Sequence, residues 1–250
     1  MPDPALRIAM WSGPRNISTA MMRSWSSRLD TVVVDEPFYA RYRALTGIDH
    51  PGRDETLAAQ PTDFDTVRES LFAPLPPGKS VFYQKHMAHH LVRDDDFAGL
   101  DGLTHCFLIR DPREMILSFT KVIETPTADD LGLPQQVRLF ERVRAQTGRI
   151  PPVLDAKDVL LDPEAMLHAL CARLGLAFDP AMLSWPAGPH PADGVWARYW
   201  YDSVQSSTGF APHRERTGDI PDRLRPVLDQ CNDLYARLLP HRFTATAEEH

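Results

Sequence analysis

Ser12-Gly13-Pro14-Arg15-Asn16-Ile17-Ser18-Thr19 gathers an arginine, an amide and two hydroxyls in one loop that a helical pattern follows. A loop running into a helix offers unpaired backbone N–H groups and the positive end of the helix dipole, which together suit an anion. Arg15 adds a permanent charge and a fork of donors, and Ser18 and Thr19 add hydroxyls. The same residues could equally make a polar helix cap with an exposed arginine. The segment lacks the lysine and second glycine of the Gly-Lys-Ser/Thr nucleotide loop. A second segment carries Arg110-Asp111-Pro112, with Ser118 eight residues after the arginine. That arginine and hydroxyl could grip one phosphate; the plainer use is a surface ion pair among Arg110, Asp111 and Arg113. Other titratable groups cluster at Asp35-Glu36, at Lys85-His86 and at His89-His90.

The elements around these residues alternate. Apolar runs at 6–11, 31–34, 80–84, 104–109 and 152–155 predict five strands, and Val32-Val33-Val34 suits a strand buried on both faces. Helical spacing of apolar residues predicts helices over 18–25, 64–72, 112–119, 135–145, 163–174 and 224–238. Asp111-Pro112 and Asp162-Pro163-Glu164 are helix-start signals, and Gly175 is a stop. Residues 40–79 read as irregular apart from the helix at 64–72. Strands alternating with helices predict an α/β fold, three layers deep, with a mainly parallel sheet flanked by helices. No composition shift divides the chain, so residues 1–250 read as a single domain. In such sheets ligands bind beyond the carboxyl ends of the strands. Those ends lead into the 12–19 loop, Glu36, Lys85-His86 and Arg110.

Taken together, the two loops resemble the sulfotransferase family. Its 5′-phosphosulfate loop has the pattern Pro-(Lys/Arg)-Ser-Gly-Thr-Thr, and Pro14-Arg15-Asn16-Ile17-Ser18-Thr19 stands in the same frame. Its 3′-phosphate site has Arg-Asp-Pro with a serine eight residues after the arginine, matched by Arg110, Asp111, Pro112 and Ser118. Lys157-Asp158-Val159-Leu160-Leu161-Asp162-Pro163-Glu164 is similar to the start of a late family helix. The resemblance spans residues 8–175. It implies a phosphate-loop fold and 3′-phosphoadenosine 5′-phosphosulfate as donor. The implied reaction is transfer of a sulfuryl group to a hydroxyl or amine of a small acceptor. By the same resemblance Arg15, Asn16, Ile17, Ser18 and Thr19 would hold the 5′-phosphosulfate, and Arg110 and Ser118 the 3′-phosphate. Arg214 or Arg216 would stand for the late basic loop that also holds that phosphate. Arg15 would stabilise charge on the bridging oxygen. Glu36 sits about where some branches place a catalytic glutamate. Lys85 matches a lysine beside the leaving group, and His86 is the alternative base, offset by one residue from the family's Lys-Thr-His. His89 and His90 read as local structure or acceptor contacts. Segments 40–79 and 186–216 would shape the acceptor pocket or a lid. The family's loop glycine falls at Ile17, so either the backbone there is ordinary or the nucleotide sits differently.

Composition narrows the field. Hydrophobic residues make up 43% and charged residues 24%, which argues against global disorder. A net charge of −7 argues against general nucleic-acid or anionic-membrane binding. There is no run of apolar residues long enough to span a membrane, and residues 1–8 do not read as a secretory signal. Cys106, Cys171 and Cys231 lie in separate apolar runs and read as reduced core residues of a cytoplasmic protein. No Cys/His/Asp/Glu spacing indicates a metal site, so the expected chemistry is metal-independent. The rival enzyme reading is an ATP-dependent phosphotransferase, which needs Mg²⁺ ligands and a phosphate-loop lysine. The rival outside enzymes is a nucleotide-binding or interaction protein. The tail after Phe243 reads as polar and frayed.

Overall fold

The structure is a computed structural model that describes residues 5–245, so most of the tail lies outside the described residues. In chain order the main elements are β1 (Leu6–Ser12), α1 (Ser18–Ser26), β2 (Thr31–Asp35), α2 (Tyr39–Thr46), α3 (Arg53–Ala59), α4 (Phe64–Phe72), β3 (Val81–Met87), β4 (Thr104–Ile109), α5 (Pro112–Phe119) and α6 (Leu133–Thr147). There follow β5 (Val153–Asp155), α7 (Ala156–Leu161), α8 (Pro163–Arg173), α9 (Ala197–Trp200), α10 (Asp202–Gln205) and α11 (Arg225–Leu238). The five strands form one sheet in the order β2-β3-β1-β4-β5, with every pair parallel. The expected α/β layering is what the chain adopts. From β1 the sheet grows towards β3 and β2 on one side and towards β4 and β5 on the other. The switch in strand order therefore falls beside β1, where such sheets open a crevice.

The central strand shows why the sheet forms. Ile8 and Met10 enter the core on one face, Ala9 and Trp11 on the other, and all four are fully buried. On the first face α1 contributes Met21, Met22 and Trp25, and α8 contributes Met166, Leu167, Leu170 and Cys171. On the second face α4 contributes Val67 and Leu71, and α6 contributes Val137, Leu139, Phe140 and Val143. Burying each large side chain of this kind is worth about 1.5–3 kcal/mol relative to leaving it exposed. Helix starts follow the signals in the chain. Asp111 accepts from the backbone N–H groups of Arg113 and Glu114 to open α5, and Asp162 accepts from Ala165 N–H to open α8. The three cysteines are buried and unpaired.

Two regions depart from expectation. Residues 40–79 hold α2 and α3 as well as the expected α4. In α2 the consecutive residues Tyr39 to Arg43 are all buried, arginines included. Arg41 makes a bidentate pair with Asp96 at 2.9 Å on each arm, and Arg43 donates to Thr56 Oγ1 at 3.0 Å. Buried, paired arginines erase the apolar stripe by which a helix is recognised. The second departure is β3, which runs on to Met87, so Lys85 and His86 lie inside the strand rather than beyond it.

Candidate active site

The loop after β1 is tied down on both sides. Asn16 Nδ2 donates to the carbonyl of Leu108 in β4 at 3.0 Å, and Asn16 Oδ1 accepts from Ile17 N–H at 2.8 Å. Gly13 is forced by space: a Cβ there would collide with the backbone of Leu131. The left-handed residue of the loop is Arg15, at φ 57°, and not Ile17, whose φ of −88° any residue adopts. The position of the family glycine thus needs no glycine here, and Ile17 packs against the core beneath α1. No side chain caps the first turn of α1, which leaves its N–H groups open to an anion.

Arg110 leaves the end of β4 and reaches back to this loop. Its Nη1 donates to the carbonyl of Arg15 at 2.9 Å. Its Nε and Nη2 grip Glu114 Oε2 at 2.9 and 2.6 Å. The ion pair therefore forms with Glu114, rather than among Arg110, Asp111 and Arg113. Ser118 Oγ accepts from Arg15 Nε at 3.0 Å, so Arg110 and Ser118 meet through Arg15 and not directly. The other oxygen of Glu114 lies 3.2 Å from His213 Nε2. Burial pushes the Glu114 carboxyl up, but the hydrogen bonds and charge of Arg110 outweigh it and hold the group below the usual range. Burial, then the nearby charges of Arg216 and Arg110, lower the pKa of Arg15. Arg216 Nε is buried without a partner, whereas Arg214 is exposed at the cavity rim.

At the ends of β2 and β3 the sequence reasoning missed a larger network. Lys85 Nζ donates to Asp35 Oδ1 at 2.8 Å, to Glu36 Oε1 at 2.7 Å and to Tyr201 Oη at 2.5 Å. Tyr201 Oη lies 2.8 Å from Asp35 Oδ2 and 3.2 Å from Glu36 Oε1, and accepts from Trp196 Nε1 at 3.2 Å. Gly194 N–H donates to Asp35 Oδ2 at 3.1 Å. Burial lowers the Lys85 pKa, but Asp35 and Glu36 outweigh it and the net shift is upward. Burial raises the Glu36 pKa; Lys85 opposes this, and Asp35 adds to it. Glu36 holds a left-handed backbone, φ 43°, which turns the chain out of β2. Asp35 and Tyr201 had no motif to announce them; Asp35 adjoins Glu36 in the sequence, which was the one available hint.

His86 is not part of this group. Successive strand residues face opposite sides of a sheet, so a strand that turns Lys85 to the cavity turns His86 into the core. There it stacks on Trp11 at 4.3 Å and meets Gln84 Oε1 at 3.1 Å, and burial drops its pKa to about 3. Phe38 is likewise core, stacked on Phe64, while Tyr39 lines the cavity. His89 and His90 also line it, both buried.

All these strand ends open on one cavity of about 790 Å³. Arg15, Asn16, Ile17, Ser18, Thr19, Arg110, Ser118, Arg214 and Arg216 line it, as do Glu36, Tyr39, Lys85, His90, Trp196 and Tyr201. Segment 186–216 supplies Trp196, Tyr201 and the arginines, and of segment 40–79 the cavity takes only His50. Among the described residues no group of His, Cys, Asp and Glu could hold a metal ion, and no helix is long and apolar enough to cross a membrane.

An all-parallel α/β sheet whose loop-to-helix turn at the switch point carries Arg15 has the general form of an anion site. A sulfotransferase-domain family model matches residues 6–240, and the chain belongs to that family. It resembles the sulfotransferase domain of the Synechococcus PCC 7002 olefin synthase (TM-score 0.59, 15% identity, 94% of this chain and 97% of that one). It also resembles a sulfotransferase from Alicyclobacillus acidocaldarius (TM-score 0.55, 15% identity, 98% of each chain). At these identities the likeness is one of fold. Two Arabidopsis thaliana proteins, branched-chain-amino-acid aminotransferase-like proteins 1 and 2, are 37% and 35% identical over 235 residues. These matches cover 94% of this chain but only 42% and 41% of those relatives, so the chain spans about two fifths of their length.

Proposed function

We propose that the chain transfers a sulfuryl group from 3′-phosphoadenosine 5′-phosphosulfate to a hydroxyl or amine of a small acceptor, without a metal ion. The observation that carries this reading is that one cavity is lined both by a guanidinium group, Arg15, Arg110 and Arg216, and by Glu36 with Lys85. The guanidinium group fits an anionic donor. Burial, then the nearby charges of Arg216 and Arg110, lower the Arg15 pKa, and Arg216 Nε has no partner. Such a cluster is short of negative charge, which two phosphate groups would supply.

When bound, the donor supplies a sulfuryl group whose bond to the bridging phosphate oxygen breaks, leaving the electron pair on that oxygen. Arg15 and the open N–H groups of α1 then stabilise the leaving phosphate. Arg110, Ser118 and Arg216 hold the 3′-phosphate, with Arg214 at the rim. Lys85 holds Glu36 in place and opposes the rise in its pKa that burial causes. Glu36 receives the acceptor proton as the new bond to sulfur forms, a role its raised pKa suits. The positive charge that Mg²⁺ brings to phosphoryl transfer comes here from arginines and Lys85. The aminotransferase-like names of the plant relatives carry no transamination to this chain, since the match spans less than half of them. Buried, unpaired cysteines suit a reducing compartment such as the cytoplasm.

The test is ligand-dependent melting followed by transfer assays. Adenosine 3′,5′-bisphosphate should raise the melting temperature more than AMP or ATP at matched concentration, with linkage worth about 2.7 kcal/mol at a hundredfold excess over Kd. Transfer from radiolabelled donor should persist in EDTA. Preferential binding of ATP, or loss of transfer restored by Mg²⁺, would instead support a phosphotransferase.

A further inference from the structure

The protein occupies one oxygen of Glu36 and leaves the other open. Oε1 accepts from Lys85 Nζ at 2.7 Å and lies 3.2 Å from Tyr201 Oη. Among the described residues no donor comes within hydrogen-bond distance of Oε2; His90 Nε2 faces it at 3.9 Å. That gap is too long for a direct bond. An oxygen atom about 2.8 Å from both would fill it, with an angle of roughly 90° at that oxygen.

His90 is held for such a contact. Its ring stacks on Tyr39 at 4.8 Å and on Tyr42 at 4.9 Å, with His89 edge-on at 4.5 Å. Three neighbouring rings confine it. Its Nδ1 is buried without a partner, so no protein group dictates the tautomer from that side. The negative oxygen facing Nε2 favours the proton on Nε2. Burial, then the neighbouring His89 and Lys85, push the pKa well below that of free histidine, so the ring is neutral. A neutral imidazole has one N–H to give and does not compete with Glu36 for the acceptor's proton.

We propose that Glu36 Oε2 and His90 Nε2 form a clamp for the acceptor hydroxyl, which makes His90 a second catalytic residue and selects alcohols over amines. This rests on the sulfuryl-transfer reading above. A hydroxyl oxygen has two lone pairs. One accepts from His90 Nε2–H; the other attacks sulfur. As the oxygen–sulfur bond forms, the hydroxyl proton passes to Glu36 Oε2. The bond from sulfur to the bridging oxygen breaks with its electron pair left on the donor phosphate, and His90 keeps its proton. A neutral amine has a single lone pair, so donation from His90 would block the attack. At neutral pH an alkylamine is also protonated and must first lose that proton.

The experiment needs no knowledge of the natural acceptor, because water is the smallest hydroxyl. Hydrolysis of radiolabelled 3′-phosphoadenosine 5′-phosphosulfate is measured for wild type, His90→Phe and His90→Gln. Transfer to the matched pair cyclohexylmethanol and cyclohexylmethylamine is measured alongside. Phe keeps the stack on Tyr39 and Tyr42 without a donor; Gln keeps a donor without the ring. Expected is a fall in kcat of at least ~10-fold for His90→Phe, partial recovery in His90→Gln, and preference for the alcohol of at least ~10²-fold. Binding of adenosine 3′,5′-bisphosphate should be the same in all three. Equal losses in Phe and Gln would make His90 a packing residue and overturn the clamp. So would preference for the amine, or a wild type that binds donor yet neither hydrolyses nor transfers it. A wild type that fails to bind the bisphosphate overturns the donor reading itself, and the clamp with it.

Discussion

Nζ of Lys85 lies 2.7 Å from Oε1 of Glu36, and the lysine side chain is 1% exposed. Two residues 49 positions apart meet because β2 and β3 are parallel neighbours whose register sets Asp35 beside Lys85, with Glu36 the next residue. All three ammonium protons have acceptors, in Asp35, Glu36 and Tyr201. A charge so placed anchors the cavity wall as much as it equips it.

Lys85→Met should therefore destabilise the fold strongly. Removing the cation leaves two buried carboxylates facing each other, and breaking such a pair costs about 3–5 kcal/mol. Urea unfolding of the variant reads this directly. A loss below about 1 kcal/mol would mean that the network tolerates rearrangement and that Lys85 is not its keystone.

The sheet was legible because each strand is a short apolar run ended by a polar turn, as at Trp11-Ser12-Gly13 and Ile109-Arg110-Asp111. Much of the guanidinium group was legible for the same reason: Arg15 to Thr19, and Arg110 with Ser118, lie in two contiguous motifs. Of the group around Lys85, sequence singled out Glu36 and Lys85 but not Asp35 or Tyr201. Tyr201 meets Asp35 across 166 residues, a contact with no local trace. Nor could sequence tell that Glu114, four residues after Arg110, would take the arginine's fork, because an i, i+4 pair on a helix is ordinary. His86 looked like a cavity residue because the strand was read as ending before it; with β3 continuing to Met87, pleating turns it inward.

Stability should fall as the solution is acidified from pH 7 to 5. Burial lowers the pKa values of His86 and His89 to about 3 and of His105 to about 4. The unfolded chain binds these protons near pH 6.5 and the folded one does not. Their stabilisation is present above pH 6.5 and is lost as pH drops towards the folded values, at about 1.4 kcal/mol per pH unit for each histidine. Carboxyls held above their usual range, such as Asp155, act in the opposite sense. His105→Gln therefore isolates one histidine, and its stability profile should be flatter than that of wild type. A wild-type stability unchanged between pH 7 and 5 would contradict the burial of these neutral rings.

Ile17→Gly, which restores the family's loop residue, should weaken the protein rather than improve donor binding. Ile17 holds a right-handed backbone and its side chain packs on the core. The change removes apolar contact and adds backbone freedom at a helix start, together about 1–2 kcal/mol. Tighter binding of adenosine 3′,5′-bisphosphate by the variant, measured by titration calorimetry, would mean that the isoleucine obstructs the loop.

Arg110→Ala should abolish the preference for adenosine 3′,5′-bisphosphate over AMP. It should also loosen the 12–19 loop, because Arg110 Nη1 supports the carbonyl of Arg15. Arg110→Lys keeps the charge without the fork, so it should keep part of the preference and lose the loop support. If Arg110→Ala retains the full difference in melting shift between the two nucleotides, the 3′-phosphate lies elsewhere.

The final test separates Glu36 from His86 as the base. A general base must come within hydrogen-bond reach of the acceptor, so position decides before pKa does. Glu36 lines the cavity; His86 is 2% exposed, stacked on Trp11 and bonded to Gln84. Glu36→Gln keeps the shape but removes the basicity. Turnover should fall by at least about 10²-fold, with binding of adenosine 3′,5′-bisphosphate nearly unchanged. His86→Asn should do the reverse: turnover per folded molecule close to wild type, with stability reduced by about 1–3 kcal/mol for the lost stack and hydrogen bond. Steady-state rates and urea unfolding of the same two preparations separate these outcomes. If His86→Asn proves the slower enzyme at equal folded fraction, the imidazole reaches the acceptor through a rearrangement of β3. Glu36 would then serve only to hold Lys85.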